Sequence, residues 1–274
     1  QACLANGKNY QETAAQYADV YSIVEERVKP ERQRTKPDGS YVLRRPLPQR
    51  WWQYADKRPA MRTAIEGLDR VLVTTLVSKY LAPCLVYPRQ VFAHKLAVFA
   101  TDRPGQLAAL TSNFHQAWAV SYSSTLETRL NYSPSDVYET FPQPEVTEWM
   151  DRVGEELDTY RRSVMLGREL GLTKLYNLVH DSGVTDVEIQ RLREIHVEID
   201  EAVAEAYDWT DLDLGHGFHE TRQGTRFTVA PEVQVEILDR LLELNHQRHA
   251  EELRSGLVSG TRTKRRRAAT PRPR

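Results

Sequence analysis

The hydrophobic pattern changes between residues 70 and 100, which read RVLVTTLVSKYLAPCLVYPRQVFAHKLAVFA. Residues 70–78, 82–87 and 91–100 are β-branched or apolar runs separated by prolines and polar breaks, a pattern that predicts three strands of one small sheet. Helical spacing of apolar residues resumes over 104–118. This stretch therefore predicts an α+β protein whose central part is a small mixed-sheet α/β domain.

The residues upstream of these strands predict two helices and a polar connector. Apolar residues recur every three or four positions over 11–29, and Pro30 is expected to end that helix. A polar, arginine-rich segment covers 31–49, and a second helix is predicted over 57–68.

The residues downstream of the strands predict an all-α region. Thr185 with Glu188 three residues later is a capping-box pattern, and residues 209–226 are interpreted as a loop. The predicted helices are 145–170, 172–180, 185–207 and 231–253. The predicted domains are 1–30, an N-terminal helix at the end of a truncated upstream region; 31–144, the small mixed-sheet domain; 145–253, the helical C-terminal domain; and 254–274, a disordered basic tail.

Charge is strongly segregated although the formal net charge is −1. Residues 1–100 carry 16 Lys and Arg against 9 Asp and Glu, a net +7. Residues 101–253 carry 13 against 29, a net −16, and residues 254–274 carry 8 basic groups and no acid. A basic block of this kind predicts a polyanionic partner for the first hundred residues.

Composition excludes several classes of protein. No apolar run approaches the roughly 18 residues that a membrane span needs. Two cysteines, Cys3 and Cys84, exclude a disulfide scaffold and suit a reducing cytoplasm. The chain begins with Gln1 and shows no signal-peptide pattern, so we expect a soluble piece of a longer cytoplasmic protein.

A cluster of basic and aromatic residues is the first candidate binding site. Its cations would neutralise phosphates, and its rings could stack on bases. Alternatively, Trp51 and Trp52 are core residues beneath a loop of solvated arginines. The cluster comprises Arg44, Arg45, Arg50, Trp51, Trp52, Tyr54, Lys57 and Arg58.

A second group lies on or beside the predicted strands: Lys79, Tyr80, Arg89, His94 and Lys95. Strand alternation would place His94 and Lys95 on opposite faces, and a single histidine on a strand favours a structural role.

Two histidine pairs raise the possibility of a metal site. His216 and His219 lie near one another, as do His246 and His249, but no complete ligand set has a known spacing, so no metal site is predicted. The many acidic residues of the helices, interspersed with arginines, are typical of a solvated face. No phosphate loop, nucleophile elbow or catalytic Cys–His pattern is present, and no catalytic residue is predicted.

Many short runs together resemble one family. They are Val28–Arg32, Trp51–Ala55 with Arg58–Pro59, Gly67–Val73, Val77–Tyr80, Val91–Phe92, Ala97–Ala100, His115–Ala119, Ser123–Leu126, Tyr132–Asp136 and Tyr138–Pro142. The chain resembles, over residues 20–253, the target-recognition region of adenine-specific N6 DNA methyltransferases of the MmeI-like type, which include fused restriction–modification enzymes and methylases of DISARM-like phage-defence systems. Leu175–Asp181, Glu194–His196 and His216–Gly224 resemble the C-terminal extension of the same proteins.

The resemblance implies a recognition part without its catalytic part. The family's Phe-x-Gly-x-Gly methyl-donor loop and its Asn-Pro-Pro-Tyr tetrapeptide, which holds the flipped adenine, are both absent from this sequence. We therefore expect the chain to be inactive alone and to hold no cofactor. S-adenosylmethionine would belong to the parent enzyme. The implied partners are double-stranded DNA and the missing methyltransferase domain, with no membrane.

In the implied mechanism, the basic block of residues 1–100 contacts DNA phosphates. Side chains from the edges of the sheet and from the loop 121–136 contact the base edges. Ser112 and Asn113 are also chemically able to read bases. The acidic helices would brace the missing catalytic domain. The DNA-binding candidates are Arg44, Arg45, Arg50, Trp52, Lys57, Arg58, Lys79, Arg89, Lys95, Ser123, Ser124, Thr125 and Arg129.

Two other functions fit the same sequence. The chain could be a helical protein-interaction or specificity subunit of a defence complex, its basic block incidental. It could also be a metal-dependent nuclease that uses the paired histidines.

Overall fold

The computed structural model describes residues 16–126 and 129–256, apart from the side chains of residues 125, 126 and 129. The predicted N-terminal helix before residue 16 and the basic tail beyond residue 256 therefore lie outside the described residues, as does Cys3. The chain divides into two compact units, residues 1–63 and 64–274, and each is considered by itself. The domain boundaries proposed from the sequence stay a prediction.

The first unit is built from short helices and an ordered loop. It contains α1 (Ala18–Arg27) and α2 (Lys29–Arg32), and α3 (Pro59–Ala64) begins in it. The first helix ends at Arg27, shortly before the predicted stop at Pro30, but Pro30 itself lies in the first turn of α2, where no intrahelical N–H bond is lost.

Two small antiparallel sheets begin the second unit. β1 (Val71–Thr75) lies between β3 (Cys84–Val86) and β4 (Leu96–Phe99), with Leu72 opposite both Leu85 and Phe99. In the other sheet, β6 (Arg129–Asn131) lies between β2 (Val77–Ser78) and β5 (Ser124–Leu126). The α+β class is confirmed, but the sheets are antiparallel rather than mixed, since adjacent strands pair without a parallel crossover.

The strand that ends the predicted sheet is shorter than expected. β4 begins at Leu96, so His94 and Lys95 lie in the turn before it rather than on opposite faces of a strand. The alternation argument for these two residues was therefore wrong.

Helices supply most of the core of the second unit. They are α4 (Pro104–Thr111), α5 (Asn113–Tyr122), α6 (Glu148–Gly167), α7 (Leu172–Val179), α8 (Val187–Ala206) and α9 (Pro231–Ser255), with a π-helical turn at Pro134–Tyr138. The α6 stripe of Met150, Val153, Leu157 and Val164 is buried, as its three- and four-residue spacing requires. None of the helices in the described residues is long and apolar enough to cross a membrane.

Two local predictions for the helical region were wrong. Asp186, not Thr185, precedes α8 without a side-chain cap, and the Glu188 carboxylate instead accepts a hydrogen bond from Arg168. The predicted loop 209–226 contains most of a hairpin, β7 (Gly217–Thr221) and β8 (Gly224–Thr228). A two-residue turn joins its strands, and Gly224 has a φ of 90°, which favours glycine.

Helices α4 and α6 are in close backbone contact at two glycines. A Cβ atom on Gly154 would lie 2.0 Å from the carbonyl oxygen of Pro104, and one on Gly105 would lie 2.2 Å from Cγ1 of Val146. The contact closes over Leu107, Leu110 and other buried side chains. It therefore fixes how the helical layer lies against the sheet.

Several charged side chains of the helices are buried, which contradicts the prediction of a uniformly solvated face. The Arg193 guanidinium donates to four carbonyl oxygens, at Leu178, Val179, Asp181 and Val184. These include the carbonyls that end α7, where a cation is favoured. The other buried charges are Asp158, Arg161 and Asp200.

Three histidines are held in uncharged form, of which His115 is buried and His180 and His196 are half-buried. Burial lowers the pKa of His115 and of His196 to about 4, and lowers that of His180 to about 3. The His115 Nδ1 lies 2.9 Å from the Leu110 carbonyl oxygen and its Nε2 lies 3.2 Å from the Tyr132 hydroxyl, an arrangement that suits a neutral ring. These rings are therefore uncharged at neutral pH.

We predict that Gly154→Ala destabilises the protein because the added methyl group overlaps the Pro104 carbonyl. The loss in free energy of unfolding should be about 1–3 kcal/mol, measured by urea denaturation. Gly167→Ala, on the same helix with nothing within 4 Å of its Cβ position, is the matched control and should have no such cost. Equal effects of the two substitutions would contradict the close contact.

We also predict that stability falls as the pH is lowered from 7 to 5. The three histidines have folded-state pKa values of about 3 or 4 against an ordinary 6.5, so in this range the unfolded chain binds more protons. Each should cost about 1–2 kcal/mol at pH 5, with stability recovering as the pH rises through 6.5. Urea midpoints that do not change between pH 7 and pH 5 would show that these rings are not buried neutral.

Candidate nucleic-acid interface

The arginine-rich segment of the first unit is an ordered loop. The Arg32 guanidinium donates to the carbonyl oxygens of Trp51, at 3.0 Å, and Gln53, and the Gln33 side-chain amide donates to the Pro48 carbonyl at 3.1 Å. These bonds hold residues 44–53 against α2. The loop therefore has a defined shape on which charged side chains can be presented.

Three arginines of this loop are exposed and make no ion pair within the part of the chain that the structure describes. They are Arg44, Arg45 and Arg50. Other cations of the same unit are paired: the Lys29 ammonium lies 2.7 Å from the Glu25 carboxylate, and Arg58 lies 3.7 Å from that of Asp56. The three exposed guanidinium groups are therefore available to phosphate oxygens.

The two tryptophans have different roles. Trp51 is buried, with its ring 5.5 Å from that of Tyr21 and under the Lys29 ammonium at 5.0 Å, so the core interpretation is correct for it. Trp52 is half-buried at right angles to Trp51, and its Nε1 is a buried donor without a hydrogen-bond partner among the described residues. Lys57 and Arg58 are half-buried.

In the second unit, the β3–β4 connection carries the exposed basic candidates. Arg89 and Lys95 are exposed there, together with the apolar surfaces of Tyr87 and Val91. Lys79 follows β2 and donates to the Asn177 side-chain oxygen at 2.8 Å. Arg89 and Lys95 thus remain open to a partner, whereas Lys79 is engaged.

The hydroxyl candidates lie around the edge of the second sheet. Ser124 is exposed and its hydroxyl accepts from the Asn131 amide at 2.9 Å, while the Ser123 hydroxyl is buried without a partner among the described residues. The side chains of Thr125 and Arg129 lie outside what the structure describes.

Ser112 and Asn113 cannot read bases, contrary to expectation. Ser112 is 1% exposed and its hydroxyl caps α5 by accepting from the His115 N–H. The Asn113 side-chain amide donates to the Asp200 carboxylate at 2.6 Å. Both side chains are therefore committed to the fold.

The histidines considered for a metal are occupied by ordinary contacts. His216 Nε2 lies 2.8 Å from the Asp200 carboxylate, and His219 Nε2 lies 3.0 Å from the Gly215 carbonyl oxygen. Within residues 16–126 and 129–256, no group of three His, Cys, Asp or Glu side chains is arranged to hold a metal ion.

Several arginines of the helical region are neutralised by carboxylates of the same region. Arg191 pairs with Glu156, Glu194 and Glu198, and the Glu156 and Glu198 hydrogen bonds are the chief causes that raise the pKa of its guanidinium. Arg168 and Arg240 each pair with two further carboxylates. On the loops, Arg44, Arg45, Arg50, Arg89 and Lys95 are exposed and make no such ion pair within the described residues.

One polar pocket of the second unit was not predicted from the sequence. It is lined by Tyr80, Thr111, Tyr176, His180 and His216, among others. These residues come from four separate segments of the chain, so no local pattern could have indicated it.

Comparison with known proteins identifies the family. The family model for the MmeI target recognition domain matches residues 4–145, more than half of the chain. No curated protein matches.

A search of solved structures finds the Type IIL restriction-modification enzyme MmeI in complex with DNA. It is 16% identical in sequence, with a TM-score of 0.52 over 89% of this chain, and the likeness is therefore one of fold. The chain spans 28% of the length of that relative. On the family match, this chain belongs to the MmeI target recognition domain family.

Proposed function

We propose that this chain recognises duplex DNA for a restriction–modification enzyme whose catalytic part methylates the N6 atom of adenine. Membership of a target recognition family supports DNA sequence recognition. The observation that carries the proposal is the set of exposed, unpaired guanidinium groups at Arg44, Arg45 and Arg50 on an ordered loop. Such groups bind phosphate oxygens with charge-assisted hydrogen bonds.

Recognition would divide between two kinds of contact. The arginines of residues 44–50 would neutralise phosphates and set the register of the protein on DNA, independently of sequence. Arg89 on the β3–β4 connection would then read base edges, since arginine pairs with the two major-groove acceptors of guanine. Lys95 and the hydroxyl of Ser124 are further candidates for the same role.

Catalysis would reside in another part of the same enzyme. The 274 residues contain neither the methyl-donor loop nor the Asn-Pro-Pro-Tyr tetrapeptide of the adenine methyltransferases that the chain resembles. The residues present therefore do not fit S-adenosylmethionine. The 28% share of the solved relative is consistent with a larger enzyme that supplies that site.

A second function is favoured by one observation on the helices. Leu166 and Val187, near the facing ends of α6 and α8, are 74% and 80% exposed. Exposed apolar side chains can mark a protein interface, so these helices could bind another subunit of a defence complex. DNA binding by the isolated chain distinguishes this role from the first.

We predict that the triple substitution Arg44→Ala, Arg45→Ala, Arg50→Ala weakens binding to every duplex alike. Because each lost phosphate contact removes about 0.9 from the slope of log K against log salt, the slope should fall by about 2–3. Fluorescence anisotropy at several salt concentrations measures it, and Lys174→Ala, an exposed cation on α7, is the control.

Two results would count against this assignment. If the unsubstituted chain binds no duplex at low salt, the DNA-recognition proposal fails. If the triple variant loses affinity for one sequence only, these arginines read bases instead of phosphates.

We further predict that cells carrying the intact gene contain N6-methyladenine at one recognition sequence. The mark should disappear when the arginine triple variant replaces the natural residues, because the catalytic part is then no longer delivered to DNA. Mass spectrometry of digested genomic DNA measures the modified base. Methylated cytosine, or no methylation at all, would contradict the adenine assignment.

A further inference from the structure

The polar pocket of the second unit has no role in the proposed recognition. It is a small pocket that is partly open to solvent. Tyr80, Thr111, Gln116, His180 and His216 are among its lining residues. Its wall is therefore mostly polar and aromatic.

A buried hydroxyl in this wall has no partner. Thr111, the last residue of α4, is 6% exposed, and its Oγ1 atom makes no hydrogen bond within the described residues. Leaving such a group unpaired in the folded protein is unfavourable. Its position on the pocket therefore points to a bound group that it contacts.

His180 presents a donor to the same pocket. The backbone N–H of Phe227 donates to His180 Nδ1 at 3.1 Å, so the ring proton is on Nε2. Burial, followed by the positive charge of Arg226, lowers the pKa of His180 to about 3. The ring is therefore a neutral donor at physiological pH.

Cations surround His180 although this part of the chain is acidic overall. The Arg226 guanidinium lies over the Tyr80 ring at 5.0 Å, and its Nε is a second buried donor without a partner in the described part. Lys79, Arg193 and the neighbouring His196 also lower the pKa of His180. The site is therefore electropositive and rich in donors.

The Asp200 carboxylate contacts two lining residues of the pocket, Asn113 and His216, and these contacts offset its negative charge. Asp200 accepts from the backbone N–H and the side-chain amide of Asn113, at 2.7 and 2.6 Å, and lies 2.8 Å from His216 Nε2. Its negative charge is directed at these groups rather than into the pocket.

We propose that this pocket binds a small oxyanion of the phosphate type. Thr111 Oγ1 and His180 Nε2 would donate to its oxygens, with Arg226 supplying the compensating charge. The group could be a backbone phosphate of DNA or free phosphate. This site is separate from the loops that carry the proposed recognition, and its test does not depend on them.

The experiment follows histidine C2 proton resonances of the whole chain by NMR during titration with inorganic phosphate at constant ionic strength, with chloride as the balancing anion. We expect the His180 resonance to shift saturably and its pKa to rise, because a bound anion favours the charged ring. Thr111→Val should weaken phosphate binding about tenfold, the effect of one hydrogen bond to a charged group. Thr159→Val, an exposed threonine on α6, should leave it unchanged.

Thr111→Val should fold normally, since it removes a hydroxyl that has no partner. Gln116→Met, on the same pocket, is a second variant that should also weaken binding. A shift that is linear in phosphate, or one that is equal in Thr111→Val and the unsubstituted chain, would overturn the proposal.

A short duplex oligonucleotide distinguishes the source of the oxyanion. If the natural ligand is a DNA phosphate, the duplex should reproduce the His180 shift and displace inorganic phosphate. If it is free phosphate, the duplex should leave the phosphate affinity unchanged. Either result supports an oxyanion site, and the arginine triple variant, which lacks the recognition loop's cations, should retain it.

Discussion

Asp200 lies in the middle of α8 with 1% of its surface exposed, and its carboxylate joins three elements of the second unit. It accepts the N–H of Asn113, the first residue of α5, where a helix favours negative charge. It also holds His216, which precedes the β7–β8 hairpin. Removing one partner would leave a buried charge uncompensated, so these elements depend on one another.

Charge is used differently in the two parts of the molecule. In the helical region, arginines such as Arg191 are paired with carboxylates, and Arg193 is bound to backbone carbonyls. On the loops, Arg44, Arg50 and Arg89 are exposed and have no such anion among the described residues. The helical region thus pairs several of its arginines internally, whereas these three loop arginines are available to a partner.

The proposed recognition surface and the proposed oxyanion pocket both use hydrogen-bond donors that the fold holds in place before a ligand binds. Each places donors on a rigid support, a loop held by Arg32 in one case and the α4–α8 layer in the other. Donors fixed before a ligand arrives lose less conformational entropy on binding. Such preorganisation suits a module that positions DNA for chemistry performed elsewhere.

The sequence by itself determined the local elements, the segregation of charge and the family resemblance. Runs of β-branched and apolar residues predicted β1 and β3, and helical spacing predicted the helical regions, although the stretch 104–118 forms two helices, α4 and α5. Only the tertiary structure decided which polar residues are buried. Asp200 and Arg193 lie among the other charged residues of α8, and the sequence does not distinguish them from solvated charges. Thr111, His180 and Arg226 are far apart in sequence. Their burial and proximity arise from packing between distant segments, which no local pattern records.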